Sequence, residues 1–284
     1  MRRITHVQLP QPSSNKNQKN LWWISLDDSN HINSVNLMEV DRDIQGENWG
    51  GDWLSPMGID LQINGGLGIS FNELKDSDLP CLLDLQKQLW KDGVEAICPT
   101  ITTCSLRALR NSLSILKKVK EHNHAPKCQF LGAHLEGPFL SPNRLGAHPK
   151  EHICQPSLLA LEDRIKGFEE QISLLTIAGE LNGAKEVIKR LKQLNITIAL
   201  GHTDANAEVS NDCFNDGVRM LTHTFNAMPG MHHRDTGPIV EALINGNIYF
   251  GLIADGIHVD PKVALLLKNL AKDKLVIVSD ALSP

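Results

Sequence analysis

From Ser55 onward the chain repeats one pattern, a short apolar run followed by a segment of helical length. The runs are Ile59–Asn64, Val94–Pro99, Gln129–Leu135, Ser173–Ile177, Ile196–Leu200, Val218–Leu221, Ile248–Ile253 and Leu275–Val278. Short continuous apolar runs suit strands covered on both faces. Between them, Ala184, Val187, Ile188, Leu191 and Leu194 recur at helical spacing. So do Val263, Leu266, Leu267 and Leu270, behind an Asp260 cap and Pro261 at the first helical position. Eight strands alternating with helices over roughly 225 residues predict an α/β fold, a (β/α)8 TIM-type barrel. A doubly wound open sheet is the alternative, and it lacks support because no GxGxxG follows the first strand.

Residues 1–55 read differently. They hold the LWWISL segment Leu21–Leu26, an alternating stretch Val35–Val40, and many Asn, Ser, Gln and Gly, which predicts short strands joined by polar turns. A small β domain at 1–55 followed by a barrel at 56–284 is the expected organisation.

Charge narrows the function classes. A net charge of −5 without a long Lys/Arg run offers no footprint for nucleic acid or an anionic membrane. No apolar run approaches the roughly 20 residues of a membrane span, and the N-terminus lacks a signal-peptide core. The cytoplasm is the default compartment. The six cysteines (Cys81, Cys98, Cys104, Cys128, Cys154 and Cys213) include no CxxC pair, which argues against a cysteine zinc site or a disulfide framework.

The chemistry gathers where the expected strands end. Two runs are each followed almost at once by a histidine, His202 and His223. Adjacent parallel strands end side by side, so two imidazoles in that register converge as metal ligands must. The third run enters HLEGP, with His134 and Glu136 two apart and facing the same way. Gln62 and Asn64 end the first, Glu180 follows the fourth, Asp255 and His258 follow the seventh, and Asp280 follows the eighth. This is the end where such a barrel carries its active site.

HLEGP, GHT, HTFNAMPG, ADGIHV and VSDA together resemble the amidohydrolase superfamily and, within it, the N-acetylglucosamine-6-phosphate deacetylase family, in order and spacing from SPMGID onward. The resemblance implies hydrolysis of the N-acetyl group of N-acetylglucosamine 6-phosphate to glucosamine 6-phosphate and acetate. Gln62 and Asn64 stand where many relatives have the HxH of a second metal, and no lysine follows strand four to form a bridging carbamate. The implied ligands are therefore Glu136, His202 and His223, around one divalent metal ion per chain, zinc first, with iron, cobalt or manganese also compatible.

A base must still move the water proton to the departing nitrogen. Asp280 suits that role, although by residue type alone it could equally cap a following helix. By resemblance, His148 in LGAHPKEH polarises the carbonyl, with His134 behind the ligands. Arg234 and His258 take the phosphate, and Gln62, Ala147, Asn226 and Ala227 line the sugar pocket. His232 and His233 read as solvated, and Glu180 as a structural hydrogen-bond partner. Because relatives pass the arginine across an interface, a homodimer is expected.

Family members continue for about a hundred residues more, so the chain is expected to be a C-terminally truncated member, its barrel ending after strand eight and its small β domain incomplete. The competing readings are an amidohydrolase for another N-acyl substrate and a non-catalytic fragment.

Overall fold

The computed structural model describes residues 2–10, 20–39, 44–121 and 127–283. They form two compact units, Met1–Met57 and Gly58–Pro284.

In the first unit, strands Arg2–Val7, Trp22–Leu26, Ile32–Leu37 and Glu47–Asn48 form one sheet. Arg2–Val7 lies between its antiparallel partner Trp22–Leu26 and the parallel Glu47–Asn48. Ile24 and Leu26 alternate into one small core with Ile4 and Val7, which a register shift between them brings to the same side. The expected Val35–Val40 segment is realised as Ile32–Leu37, and Val40 lies outside the described residues.

The second unit is the barrel. Its strands are β1 (Gly58–Ile63), β2 (Val94–Thr102), β3 (Ala133–Glu136), β4 (Ile172–Ile177), β5 (Thr197–Leu200), β6 (Met220–Leu221), β7 (Tyr249–Ile253) and β8 (Leu275–Val278). They pair in sequence order, every pair parallel. Helices α1 (Leu79–Lys91), α2 (Leu106–Glu121), α3 (Leu158–Ile165), α4 (Ala184–Gln193), α5 (Ala207–Asp216), α6 (Gly237–Asn245) and α7 (Pro261–Ala271) make the crossovers. Asp260 caps α7 through Lys262 N–H at 2.8 Å, as its sequence suggests.

The seam between β8 and β1 is closed by the backbone beyond β8. Asp280 N–H donates to Gln62 O at 2.8 Å, and Asn64 N–H donates to Ala281 O at 2.8 Å. The Asp60 carboxylate accepts from both Gln62 N–H and Ser279 N–H at 3.1 Å. These bonds hold the Asp280 side chain over the barrel mouth.

Three details depart from the sequence expectation. The third run is split, Gln129–Phe130 pairing with β2 before β3 begins at Ala133. β6 is only two residues long, because the chain turns at once into the left-handed backbone of His223. On α7 only Leu267 and Ala271 are buried, while Leu266 and Leu270 are half exposed: the packed stripe follows the i, i+4 row through Val263, Leu267 and Ala271. Among the described residues no helix is long and apolar enough to cross a membrane.

Candidate active site

Alternation along the strands sorts the barrel interior into three levels. Leu174, Ala199, Met220, Ile253 and Val278 fill the lowest, against Leu61 and Val276. Two residues further along their strands stand polar groups: Thr176 after Leu174, Thr222 after Met220 and Asp280 after Val278. Thr176 Oγ1 lies 2.8 Å from His134 Nε2 and 2.7 Å from Thr222 Oγ1, and Thr100 Oγ1 lies 3.2 Å from His134 Nδ1. One step above His134 is Glu136, the centre of the top level.

Glu136 Oε1 lies 3.0 Å from His223 Nε2 and 3.3 Å from His202 Nε2, and the two nitrogens are 3.1 Å apart. All three residues are buried. The histidines can approach because Gly201 precedes one of them: a Cβ there would come 2.6 Å from Thr222 Cβ. Burial alone would push the Glu136 carboxyl up, but hydrogen bonds from His202 and His223, and their charge, hold it well below the usual carboxylate range. Burial pulls His223 down in turn, and its hydrogen bond and attraction to Glu136 outweigh that, so its pKa is raised.

His148 stands beside them, its ring edge-on to His202 with centroids 4.4 Å apart and its Nε2 3.7 Å from Glu136 Oε2. Glu136, His148 and His202 offer ligand-type atoms within 4.8 Å of one another. His148 Nδ1 lies 2.9 Å from Thr103 Oγ1 and 3.3 Å from the Thr103 backbone nitrogen, which leaves Nε2 facing Glu136. Burial pulls the His148 pKa down to about 4, so the ring is neutral at neutral pH.

Asp280 faces Glu136 across the Gln62 amide, and the Asn64 amide holds it from the other side. Gln62 Nε2 reaches Glu136 Oε1 at 3.1 Å and Asp280 Oδ1 at 3.2 Å, and Asn64 Nδ2 reaches Asp280 Oδ1 at 2.7 Å. Burial and then the Glu136 charge raise the Asp280 pKa, a rise that the Asn64 hydrogen bond moderates. Gln62, expected to line the sugar pocket, is buried, and its amide bonds both carboxylates.

The remaining expected residues form a looser set. His258 is exposed, bonded through Nδ1 to Asp255 Oδ2 at 2.7 Å, and its charge is felt at Asp280. Arg234 is exposed on the loop before α6, and among the described residues its guanidinium makes no hydrogen bond or ion pair. The Asn226 amide is turned onto His223 O at 3.2 Å, Ala227 O accepts from Thr203 N–H at 3.1 Å, and Ala147 is exposed. His232 and His233 are exposed, as expected.

Residue type alone does not announce the backbone strain. His202 (φ 47°), His223 (φ 25°), Phe225 (φ 80°), Ala227 (φ 50°) and Asp280 (φ 48°) all adopt the left-handed region, which side chains other than glycine rarely enter. Such residues concentrate at functional sites. Five lie at the mouth of this barrel.

The donor set fits a divalent cation. Metal bonds of about 2.0 Å at tetrahedral angles separate neighbouring ligand atoms by about 3.3 Å, close to the three spacings around Glu136, His202 and His223. Two imidazole nitrogens 3.1 Å apart also need a shared proton or a cation between them.

No family model matches the sequence. Among curated proteins, N-acetylglucosamine-6-phosphate deacetylase of Bos taurus is 36% identical over 242 residues, covering 82% of this chain. N-acetylgalactosamine-6-phosphate deacetylase of Escherichia coli O157:H7 is 32% identical over 230 residues, covering 81%. The chain spans 58% of the length of the first and 60% of the second. Among solved structures, N-acetylglucosamine-6-phosphate deacetylase from Pasteurella multocida superposes with a TM-score of 0.79 at 27% identity, covering 99% of this chain and 72% of that one.

Proposed function

Starting from a chain that belongs to the N-acetylglucosamine-6-phosphate deacetylase family, we propose metal-dependent hydrolysis of the N-acetyl group of N-acetylglucosamine 6-phosphate, giving glucosamine 6-phosphate and acetate. The observation that carries this reading is the approach of Glu136 Oε1, His202 Nε2 and His223 Nε2 to within 3.0–3.3 Å of one another, opposite Asp280. These three residues would hold one divalent ion, zinc first, with iron, cobalt and manganese suited to the same donors. When bound, such an ion supplies a Lewis acid and lowers the pKa of water to about 7.

The chain's own groups do the rest. Glu136 stays ionised because its histidine partners outweigh its burial. Asp280 takes the proton of the attacking water and returns it to the amine nitrogen as the amide bond breaks, and its raised pKa favours that exchange. His148, whose Nε2 faces the centre, donates to the oxygen that gains charge.

Arg234 and His258 bind the phosphate, an assignment supported by their exposed, cationic or ionisable side chains on loops at this end of the barrel. Asn226, Ala227, Ala147 and Gln62 border the sugar. The Arg234 guanidinium, without a hydrogen bond or ion pair among the described residues, is in keeping with a homodimer in which it crosses to the partner. The six free cysteines support a reducing, cytoplasmic location.

The test is acetate release from N-acetylglucosamine 6-phosphate by the metal-loaded chain, with unphosphorylated N-acetylglucosamine alongside. A second reading, an N-acyl sugar phosphate of other configuration, is favoured by the E. coli relative named for N-acetylgalactosamine 6-phosphate. Faster release from that epimer would select it.

A further inference from the structure

His202 is gripped at two points by a turn that follows β3. Its Nδ1 lies 2.8 Å from the backbone oxygen of Arg144, and its own backbone oxygen accepts from Ser141 N–H at 2.8 Å. Arg144 N–H closes that turn onto Ser141 O at 3.0 Å. A carbonyl oxygen can only accept, so the facing Nδ1 carries the ring proton. Nε2 is then the nitrogen turned toward Glu136 and His223. Gly146 continues the turn against the ring: with φ 60°, a Cβ there would come 3.4 Å from His202 Cε1. The grip also holds a residue whose backbone is left-handed.

The turn is anchored from outside. Arg144 Nε and Nη2 lie 2.9 and 2.8 Å from Asp204 Oδ1, and Asn143 Nδ2 lies 3.4 Å from Asp204 Oδ2. Asp204 N–H donates to Glu180 Oε1 at 2.7 Å, and the Thr203 hydroxyl donates to the other oxygen of the same carboxylate. A chain of contacts therefore runs from Glu180 beyond β4, through Asp204 beyond β5, to Arg144 beyond β3, and ends on the His202 ring.

We propose that Glu180, Asp204 and Arg144 are positioning residues for His202: they fix its tautomer and the direction of its Nε2, and so set the affinity of the Glu136–His202–His223 centre for a divalent cation. This rests on the reading of those three residues as a metal centre. The Arg144–Asp204 pair is more than a third exposed on both sides, and such pairs add little to stability, so its removal is felt at the histidine before the fold.

The test titrates Co2+ into the metal-free full chain, read by its visible ligand-field bands, beside a thermal melt of the metal-free form. Asp204→Ala and Arg144→Ala are each expected to weaken Co2+ binding about 10- to 100-fold, the usual effect of losing a ligand's hydrogen-bond support. Their metal-free melting temperatures stay at the parent's. Asp204→Glu restores most of the affinity, and the double alanine variant is no weaker than either single one. In the metal-free chain with 15N-labelled histidine, His202 reports the Nδ1–H form in the parent and a mixture of tautomers in Asp204→Ala. Parental Co2+ affinity in both alanine variants overturns the proposal, as does a loss of affinity matched by a loss of metal-free stability. A parent that takes up no Co2+ removes the metal centre and this proposal together, an outcome distinct from a binding parent with unaffected variants.

Discussion

His202 Nε2 and His223 Nε2 face each other at 3.1 Å, both within 3.3 Å of the same Glu136 oxygen. One acceptor oxygen and two ring nitrogens so placed compete for very few protons, and a cation satisfies all three. The full chain is therefore expected to bind close to one divalent metal ion. His202→Ala, His223→Ala and Glu136→Ala should each remove most of it, measured by elemental analysis after dialysis. Two tightly held ions per chain would show that Gln62 and Asn64 do not block a second position.

Asp280 is the test of proton transfer. Asp280→Asn keeps an acceptor oxygen for Asn64 and Gln62 but cannot take a proton. With the metal still bound, turnover should fall by a factor on the order of 100 or more, the usual contribution of a positioned base, with little change in KM. Undiminished turnover would remove Asp280 from the chemistry.

Arg234 and His258 stand apart from that cluster, and their proposed role is recognition. Arg234→Ala should weaken binding of the 6-phosphate substrate about ten- to hundred-fold, the equivalent of roughly 1.5–3 kcal/mol for a hydrogen bond to a charged group. Binding of unphosphorylated N-acetylglucosamine should barely change. Equal losses on the two sugars, in inhibition or turnover assays, would exclude a phosphate contact.

The barrel was readable because each strand is a short apolar run and each crossover an amphipathic helix, both local patterns. Glu136, His202 and His223 were readable for the same reason: each lies within two residues of a strand end, so register alone brings them together. For Gln62, expected as a sugar contact, the sequence position says that it faces inward, and not that two carboxylates are waiting there. His148 is held through Nδ1 by Thr103, 45 residues away. The link from Asp204 to His202 passes through a backbone oxygen of Arg144, which no side-chain pattern records. The half-exposed Leu266 and Leu270 follow from which helical row meets the sheet, a matter of tertiary packing.

His134 supplies a pH dependence. It is buried between Thr100 and Thr176, and burial pulls its pKa down to about 4 from an ordinary 6.5. The folded chain thus binds this proton less readily than the unfolded chain. Its contribution to stability is intact above pH 6.5 and is lost as pH falls toward 4. At about 1.4 kcal/mol per pH unit, the loss from this residue approaches 3 kcal/mol at the acid end. His148, pulled to about 4 in the same way, adds to it. Urea denaturation of the metal-free chain between pH 7.5 and 4.5 should show the decline. His134→Gln, which cannot take up a proton, should lower stability at neutral pH and make the decline shallower. A parent whose stability is flat from pH 7 to pH 5 would mean that His134 is already protonated, or reached by water, in the folded barrel.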